Sequence, residues 1–353
     1  MGKLLNNLTI SPENIHDLRE LVQVTLDNDV KLESVVSVDK VQNGDPIGLI
    51  GEFDAVGNAG AGCNPEYKDM GIANAMKRWA LGDYSLPLSI CYTDLEGTVA
   101  QYALKNGTPI GDITGTQVMS EVIYPALQRA IEKMFWRVAW FGDTAADVIA
   151  SGGVLTAGTD KTLFNISDGF FKRIFAQATA NPAQLTADSA NAATTYAAQK
   201  SAALASGHAT GVIDALMMDA DSRIAEQDDA IILMTKAMAD ALAYDLKKSY
   251  NQILPWQELF SGVRVAEYNG VKVVSVGVWD RIIKAYENTG TKLNKPYRAV
   301  FTTAKNLRVG TTTDGLLTDL DVFFDHKDRK TYIYGAGKIG TQLLEDELFQ
   351  VSY

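Results

Sequence analysis

The sequence predicts a mixed α+β fold built around one unusually long helix. Three observations carry this. An amphipathic stretch runs from about Gly115 to Phe141, the last hundred residues are rich in strands, and the chain lacks the regular strand–helix alternation of a doubly wound or barrel enzyme. No internal repeat is present. The 353 residues suggest about two domains, and 46% hydrophobic against 21% charged residues is ordinary globular composition. A chain of this length buries most of its apolar surface without disulfide or metal staples.

Taken in order, Ser11-Pro12-Glu13-Asn14 reads as a helix start, with Ser11 as N-cap and Pro12 in the first turn of a helix running to about Leu26. Val35 to Val41 alternates like a strand or extended arm. Between 44 and 75 seven glycines fall close together (Gly44, Gly48, Gly51, Gly57, Gly60, Gly62 and Gly71), which favours turns and irregular extended structure over a packed helix. Tyr84 to Cys91 alternates again, and Pro87 inside it points to an edge strand or a lone hairpin, because proline has no N–H for a ladder. Asp94 to Leu104 reads as helix.

In the long stretch, Val118, Val122, Leu127, Ile131, Met134, Phe135 and Val138 recur three to four apart. At about 1.5 Å per residue the helix would reach about 40 Å, with Pro125 either kinking it or moving its start downstream. Its end, Phe135 to Phe141, is apolar nearly all round, as when a helix is enclosed by its own core or by another subunit; both readings stand. Residues 176–208, rich in Ala, Ser, Thr and Asn, fit helix, loop or a surface excursion. A helix from Ala209 to about Gln227 leads into a short strand, Ala230 to Met234. Thr235 then N-caps a helix carrying Met238, Leu242 and Leu246.

Two valine-rich runs flank Tyr268-Asn269-Gly270, a strong hairpin signal. Further strands are expected at Ala299 to Thr302, at Asp321 to Phe324 and Thr331 to Tyr334 (joined by the polar turn 325–328), and at Leu348 to Tyr353.

The net charge of −11 and a pI near 4.8 argue against a general basic surface for nucleic acid, and the acidity suits solubility at high concentration. No aromatic and basic interleave marks a nucleic-acid platform. Cys63 and Cys91 make no disulfide framework and read as small buried hydrophobes of a reducing compartment. The start, Met1 to Asn7, has neither a charged head followed by an apolar run nor a myristoylation pattern, and Ala230 to Met234 is too short to span a bilayer. The expected setting is therefore a cytoplasm, with no membrane.

Gly335-Ala336-Gly337-Lys338-Ile339-Gly340 has the spacing of a dinucleotide-binding turn. That mechanism needs a helix, a second parallel strand and an acid about 20 residues on, whereas thirteen residues follow Gly340. Glycines for a bulge or for close strand packing are the better account. His16, His208 and His326 stand far apart, and His208 and His326 read as solvated. Asp219, Asp221, Asp228 and Asp229 resemble a calcium loop, but Arg223 and Ile224 stand where an oxygen ligand and a glycine are needed, so a solvated helix face is expected. No catalytic, cofactor or metal site emerges. The residues point to a structural or assembly protein, not an enzyme.

Several stretches then carry a resemblance. They are Lys77 to Tyr84 leading into Cys91 to Glu96, the helix end Phe135 to Asp143, Ala304 to Thr311, and Phe323-Phe324-Asp325 through Tyr332 to Gly335. By their combination and order, over nearly the whole chain, the sequence resembles the major capsid proteins of tailed bacteriophages with the Hong Kong 97-type shell fold, particularly versions from phages of Bacteroidetes-like hosts. The resemblance implies an N-terminal arm over 1–45, an extended loop region over 46–105 lying across a neighbouring subunit, and a peripheral domain with the spine helix over 106–228. It further implies an axial domain over 229–318 and C-terminal strands returning to the peripheral sheet over 319–353.

Its implied function is self-assembly through pentamers and hexamers into an icosahedral virion head around double-stranded DNA, in weak contact with it, put together in the host bacterial cytoplasm. Trp79, Tyr84, Pro87, Trp136 and Trp140 are the expected subunit-interface residues. The short arm leaves no room for a fused scaffolding domain, so scaffolding, portal and decoration proteins would be separate partners. No Lys–Asn pair for covalent cross-linking is matched from sequence. An encapsulin-type nanocompartment shell shares the fold and is the alternative; an enzyme using the Gly335–Gly340 turn is the remote one.

Overall fold

In the computed structural model the described residues are 32, 35–53, 72–91, 124–146, 155–249, 251, 253–260, 263–312, 321–328 and 330–353. The expected helices at 11–26 and 94–104, the first part of the long helix (115–123), and Cys63 and His16 lie outside them.

The centre is a seven-stranded sheet in the order β6-β16-β11-β7-β10-β9-β8. Its strands are β6 (Leu185–Thr186), β7 (Ala230–Thr235), β8 (Gln257–Phe260), β9 (Val263–Tyr268), β10 (Val271–Val276), β11 (Ala299–Thr303) and β16 (Phe349–Ser352). Apolar residues on successive positions, rather than alternate ones, mark a sheet covered on both faces. Ile232, Met234, Val273, Ala299 and Phe301 face one core, and Leu233, Val274, Val300, Phe349 and Val351 the other. The turn at Asn269-Gly270 takes φ of 49° and 80°, the left-handed pair that the right-handed twist of β9 and β10 requires.

One face is covered by α1 (Tyr124–Phe141), α2 (Phe170–Ala180) and α8 (Gly277–Tyr286). Pro125 is the second residue of the helix as described, and the choice between a kink and a downstream start falls on 115–123, outside the described residues. The segment 176–208, which the sequence left open, finishes α2 and then forms α3 (Ser189–Ala192) and α4 (Tyr196–Ala203). The other face is covered by α5 (His208–Asp219) and α7 (Lys236–Ser249). The single helix expected over 209–227 is two: α5 ends before Ala220, and Asp221 caps the short α6 (Ser222–Ala225) by accepting from the Arg223 N–H at 2.9 Å. An aspartate inside a helical run competes for backbone donors, and here it wins. Thr235 caps α7 as expected, its Oγ1 accepting from Met238 N–H at 3.3 Å. Asp280 on α8 reinforces that cap, accepting from Lys236 and Ala237 N–H at 2.6 and 2.9 Å.

The start of α5 is held by Asp245 on α7. This buried carboxylate accepts from Gly207 N–H (2.7 Å), from Thr210 N–H and Oγ1 (3.1 and 2.7 Å), and from Ser249 Oγ (2.9 Å). Burial alone pushes its pKa up, but these four donors outweigh it and hold the pKa below the ordinary carboxylate value. Because the pKa is lowered in the folded state, the stabilisation is full above about pH 4 and is lost as pH falls through the folded value. Asp245→Asn is expected to lower the urea midpoint at pH 7, with the gap from the parent narrowing below pH 4; a gap independent of pH would refute the assignment. Asp245→Ala, which strands all four donors, should cost about 3 kcal/mol.

A second sheet has the order β1-β12-β15-β4, from β1 (Ser37–Lys40), β12 (Leu307–Thr311), β15 (Ala336–Leu343) and β4 (Gly82–Ser85), with β1 and β12 parallel. A third joins β13 (Asp321–Asp325), β14 (Lys330–Tyr334) and β5 (Leu88–Cys91), and a two-stranded hairpin joins β2 (Pro46–Phe53) and β3 (Ile72–Arg78). Leu86-Pro87 thus divides the alternating run 84–91 into two edge strands of different sheets. The expected boundary at 318/319 runs through sheets rather than between them. β12, from the 229–318 segment, pairs with β15, and β16, from the 319–353 segment, pairs with β11.

Candidate functional site

The β2–β3 hairpin is the feature most unlike a self-contained domain. Its strands pair with each other and with no other described strand, and an isolated hairpin is marginal in water. Its root, by contrast, is clamped. Trp79 N–H donates to Asp45 O at 3.0 Å, Gly44 N–H donates to Trp79 O at 2.9 Å, and Leu81 N–H donates to Asn43 Oδ1 at 3.0 Å. Lys77, on β3, reaches across to the corner after β15. Its Nζ donates to Leu343 O (2.8 Å), Leu344 O (3.3 Å) and Asp346 Oδ1 (2.7 Å).

Of the five residues expected at a subunit surface, four lie within the chain. Trp136 and Trp140 are 0% exposed. Trp140 packs on Phe170, Phe171 and Trp279 at ring-centre distances of 4.9, 5.2 and 4.4 Å. The expectation of a subunit contact there therefore gives way to the core reading: the all-round apolar end of α1 is enclosed by α2, α8 and the sheet of the same chain. Trp79 and Tyr84 are 4% and 5% exposed. Tyr84 meets Phe135 edge-on at 5.7 Å. Pro87 alone is exposed, at the junction of β4 and β5.

The two buried rings explain the glycines. A Cβ at Gly310 would lie 2.8 Å from the Trp79 ring, and one at Gly337 would lie 2.5 Å from the Tyr84 hydroxyl. Gly335–Gly340 is accordingly close strand packing, with 336–343 running as β15 and no helix following the glycines.

The surface aromatics are elsewhere. In the β13-β14-β5 sheet, Val322, Ile333 and Leu88 face inward in register, whereas Phe323 opposite Tyr332 and Tyr334 opposite Asp321 lie on the outer face. Phe323 stacks on Tyr332 at 5.5 Å and is 46% exposed; Tyr334 is 50% exposed. Sequence reasoning missed this face, although the alternation of Asp321 to Asp325 carried the signal, with Phe323 out of phase with Val322 and Phe324. The rim charges are mixed: Asp321, Asp325 and Asp328 stand with Lys327 and Lys330.

His326 is exposed in its turn, as expected. His208 departs from the solvated reading. Its Nε2 lies 2.9 Å from Oδ1 of buried Asp188, and the side chain is 16% exposed, so it ties the start of α5 to the segment before α3. Asp221 pairs with Arg223 at 2.8 Å, and Asp229 is half-buried beside the Lys305 N–H at 3.2 Å. Among the described residues no group of three His, Cys, Asp or Glu is placed to hold a metal, and no described helix is long and apolar enough to cross a membrane.

No protein-family model and no curated protein matches the sequence. Solved structures do match by shape. A chain of Mycobacterium phage Adephagia gives a TM-score of 0.51 at 10% identity, over 94% of this chain and 92% of its own. A chain of Gordonia phage Cozz gives 0.50 at 12% identity, over 98% and 90%. The capsid chain of an empty GTA particle gives 0.49 at 14% identity, over 93% and 90%. At such identities a likeness speaks for the fold alone, and it agrees with the fold that the sequence resemblance implies: the chain has the Hong Kong 97-type fold.

Proposed function

We propose that the protein is the major capsid protein of a tailed bacteriophage, which self-assembles through pentamers and hexamers into the icosahedral head enclosing double-stranded DNA. The observation that carries this reading is the β2–β3 hairpin: its root is bonded to the body, its strands pair with no other described strand, and a lone hairpin of this kind is stable when a neighbour covers it. In the shell the hairpin lies across an adjacent subunit, the 1–45 arm precedes it, α1 is the spine of the peripheral domain, and strands of 229–318 form the axial domain. The place of action is the virion, filled after assembly in the host bacterial cytoplasm. Scaffolding, portal and decoration proteins are separate chains, and an acidic wall touches the packaged DNA weakly. The protein catalyses nothing; its interfaces gain strength by repetition.

Size-exclusion chromatography followed by negative-stain imaging of the purified chain tests the reading. Closed polyhedral particles, or capsomers of about 190 and 230 kDa (five and six times 38.3 kDa), are expected. A uniform monomer or dimer that persists on co-expression with a scaffolding protein would overturn it. Small particles carrying an enzyme cargo in place of DNA would move the assignment to an encapsulin-type nanocompartment.

A further inference from the structure

A cavity of about 310 Å³ opens between the C-terminal end of α1, the helix α2 and the 287–298 segment. Its apolar wall includes Phe141, Leu155, Phe171 and Phe175. Most of its charged groups are already matched. Lys172 Nζ lies 2.5 Å from Asp143 and 2.8 Å from Asp168. Arg298 is paired with Glu287 and also donates to the backbone oxygens of Lys295 (2.9 Å) and Asn294 (3.0 Å).

Lys295 is the exception. It sits at the rim with a φ of +44°, a left-handed backbone that a lysine rarely adopts. Its ammonium lies 3.4 Å from the centre of the Tyr353 ring and 4.4 Å from that of Phe175, and it makes no hydrogen bond or ion pair with the described residues. Two aromatic faces attract the charge but leave its three N–H donors unused. Burial first, and the Arg298 charge second, push the amine down to about 8, against the opposing pull of Glu287. At pH 7 it is still mainly charged.

We propose that this cavity binds a carboxylate carried on a small apolar or aromatic body, the body lying on Phe141, Phe171 and Phe175 and the carboxylate accepting from the unused donors of Lys295. An apolar wall with a few polar groups is the usual make-up of a small-ligand site, and here Lys295 is the cation left without a hydrogen-bonding partner among the described residues. The site stands independently of the shell assignment. The acid has two possible sources: an acidic side chain of a neighbouring subunit, or a free aryl or alkyl acid.

Ligand-observed NMR titration of the unassembled full chain with benzoate, and with benzyl alcohol as the neutral control, tests the proposal. Benzoate is expected to bind at pH 7 with a dissociation constant on the order of 1 mM, as suits nine heavy atoms. Lys295→Met should weaken it by about tenfold while Lys295→Arg retains most of the affinity. Both variants keep a long side chain on the same backbone, so thermal midpoints near that of the parent verify their fold. Benzoate affinity should also fall as pH rises through about 8. Binding of benzyl alcohol as tight as that of benzoate, undiminished binding by Lys295→Met, or no benzoate binding would each overturn the proposal. Repeating the titration on assembled particles identifies the source. Equal affinity upholds the site for a free acid, and a site closed only in the particle upholds it for a neighbour's side chain.

Discussion

Arg298→Met is expected to lower the unfolding free energy of the unassembled chain by about 3–5 kcal/mol, the usual cost of removing one partner from a buried ion pair. Arg298 is 1% exposed and Glu287 6% exposed, and the two are in direct contact. The guanidinium also lies over the rings of Phe141, Phe171 and Phe175 at 5.3, 4.8 and 5.5 Å, so the same side chain ties α1 and α2 to the turn after α8. Methionine keeps much of the apolar stem and its packing, but it leaves the Glu287 carboxylate in the interior with the Asn294 side-chain amide (3.0 Å) as its one remaining side-chain donor among the described residues. The loss comes mainly from that stranded charge, not from the vanished attraction. Adding Glu287→Gln to Arg298→Met should therefore recover a large part of the stability, since the desolvation penalty disappears with the charge. Urea unfolding of the parent, both single variants and the double variant measures this directly. A single-variant loss below about 1 kcal/mol, or a double variant less stable than the sum of the singles, would show that the pair does not act this way.

What was legible in the sequence was mostly local. The Asn269-Gly270 turn, the Thr235 cap and the strand expected at Ala230 to Met234, which runs one residue further to Thr235, rest on backbone chemistry within a few residues. The overall fold was legible through the order of such elements. The surface was not. Aromatic content at Trp136 and Trp140 carries the same pattern whether the enclosing groups belong to the same chain or another, and only the packing of α2 and α8 decides between them. Tyr84 and Trp79 read as subunit-surface aromatics until the glycines opposite them, Gly337 and Gly310, are brought within reach by strand pairing some 230 to 250 residues away in sequence. His208 reads as solvated because its partner Asp188 is brought to it by the turn of the chain through α3 and α4. Lys295 gives no sequence signal at all, since the rings beside it, Phe175 and Tyr353, come from distant elements.

Replacing residues 48–76 with Asn-Gly is expected to leave the fold intact and abolish shell formation. Ile47 and Lys77 are directly paired across the hairpin, so a two-residue turn of the Asn-Gly kind can join them without strain. The root bonds between Trp79, Asp45 and Gly44 remain, and so do the contacts of Lys77 with Leu343, Leu344 and Asp346. The thermal midpoint of the unassembled chain should therefore shift by only a few degrees. Assembly is another matter. Neither hairpin strand pairs with any other described strand, so the role proposed for it is exercised on a neighbour, and every subunit in a closed shell would lose the same contact at once. Because contacts in a shell act together, removal of one repeated contact should drive the population from closed particles to free capsomers or monomers rather than merely loosening it. Sedimentation and negative-stain imaging of the parent and the shortened chain under identical conditions separate the outcomes. Normal shells from the shortened chain would show that the hairpin is dispensable and would remove the observation on which the capsid assignment chiefly rests; a shortened chain that melts far below the parent would instead place the hairpin in the stability of the single subunit.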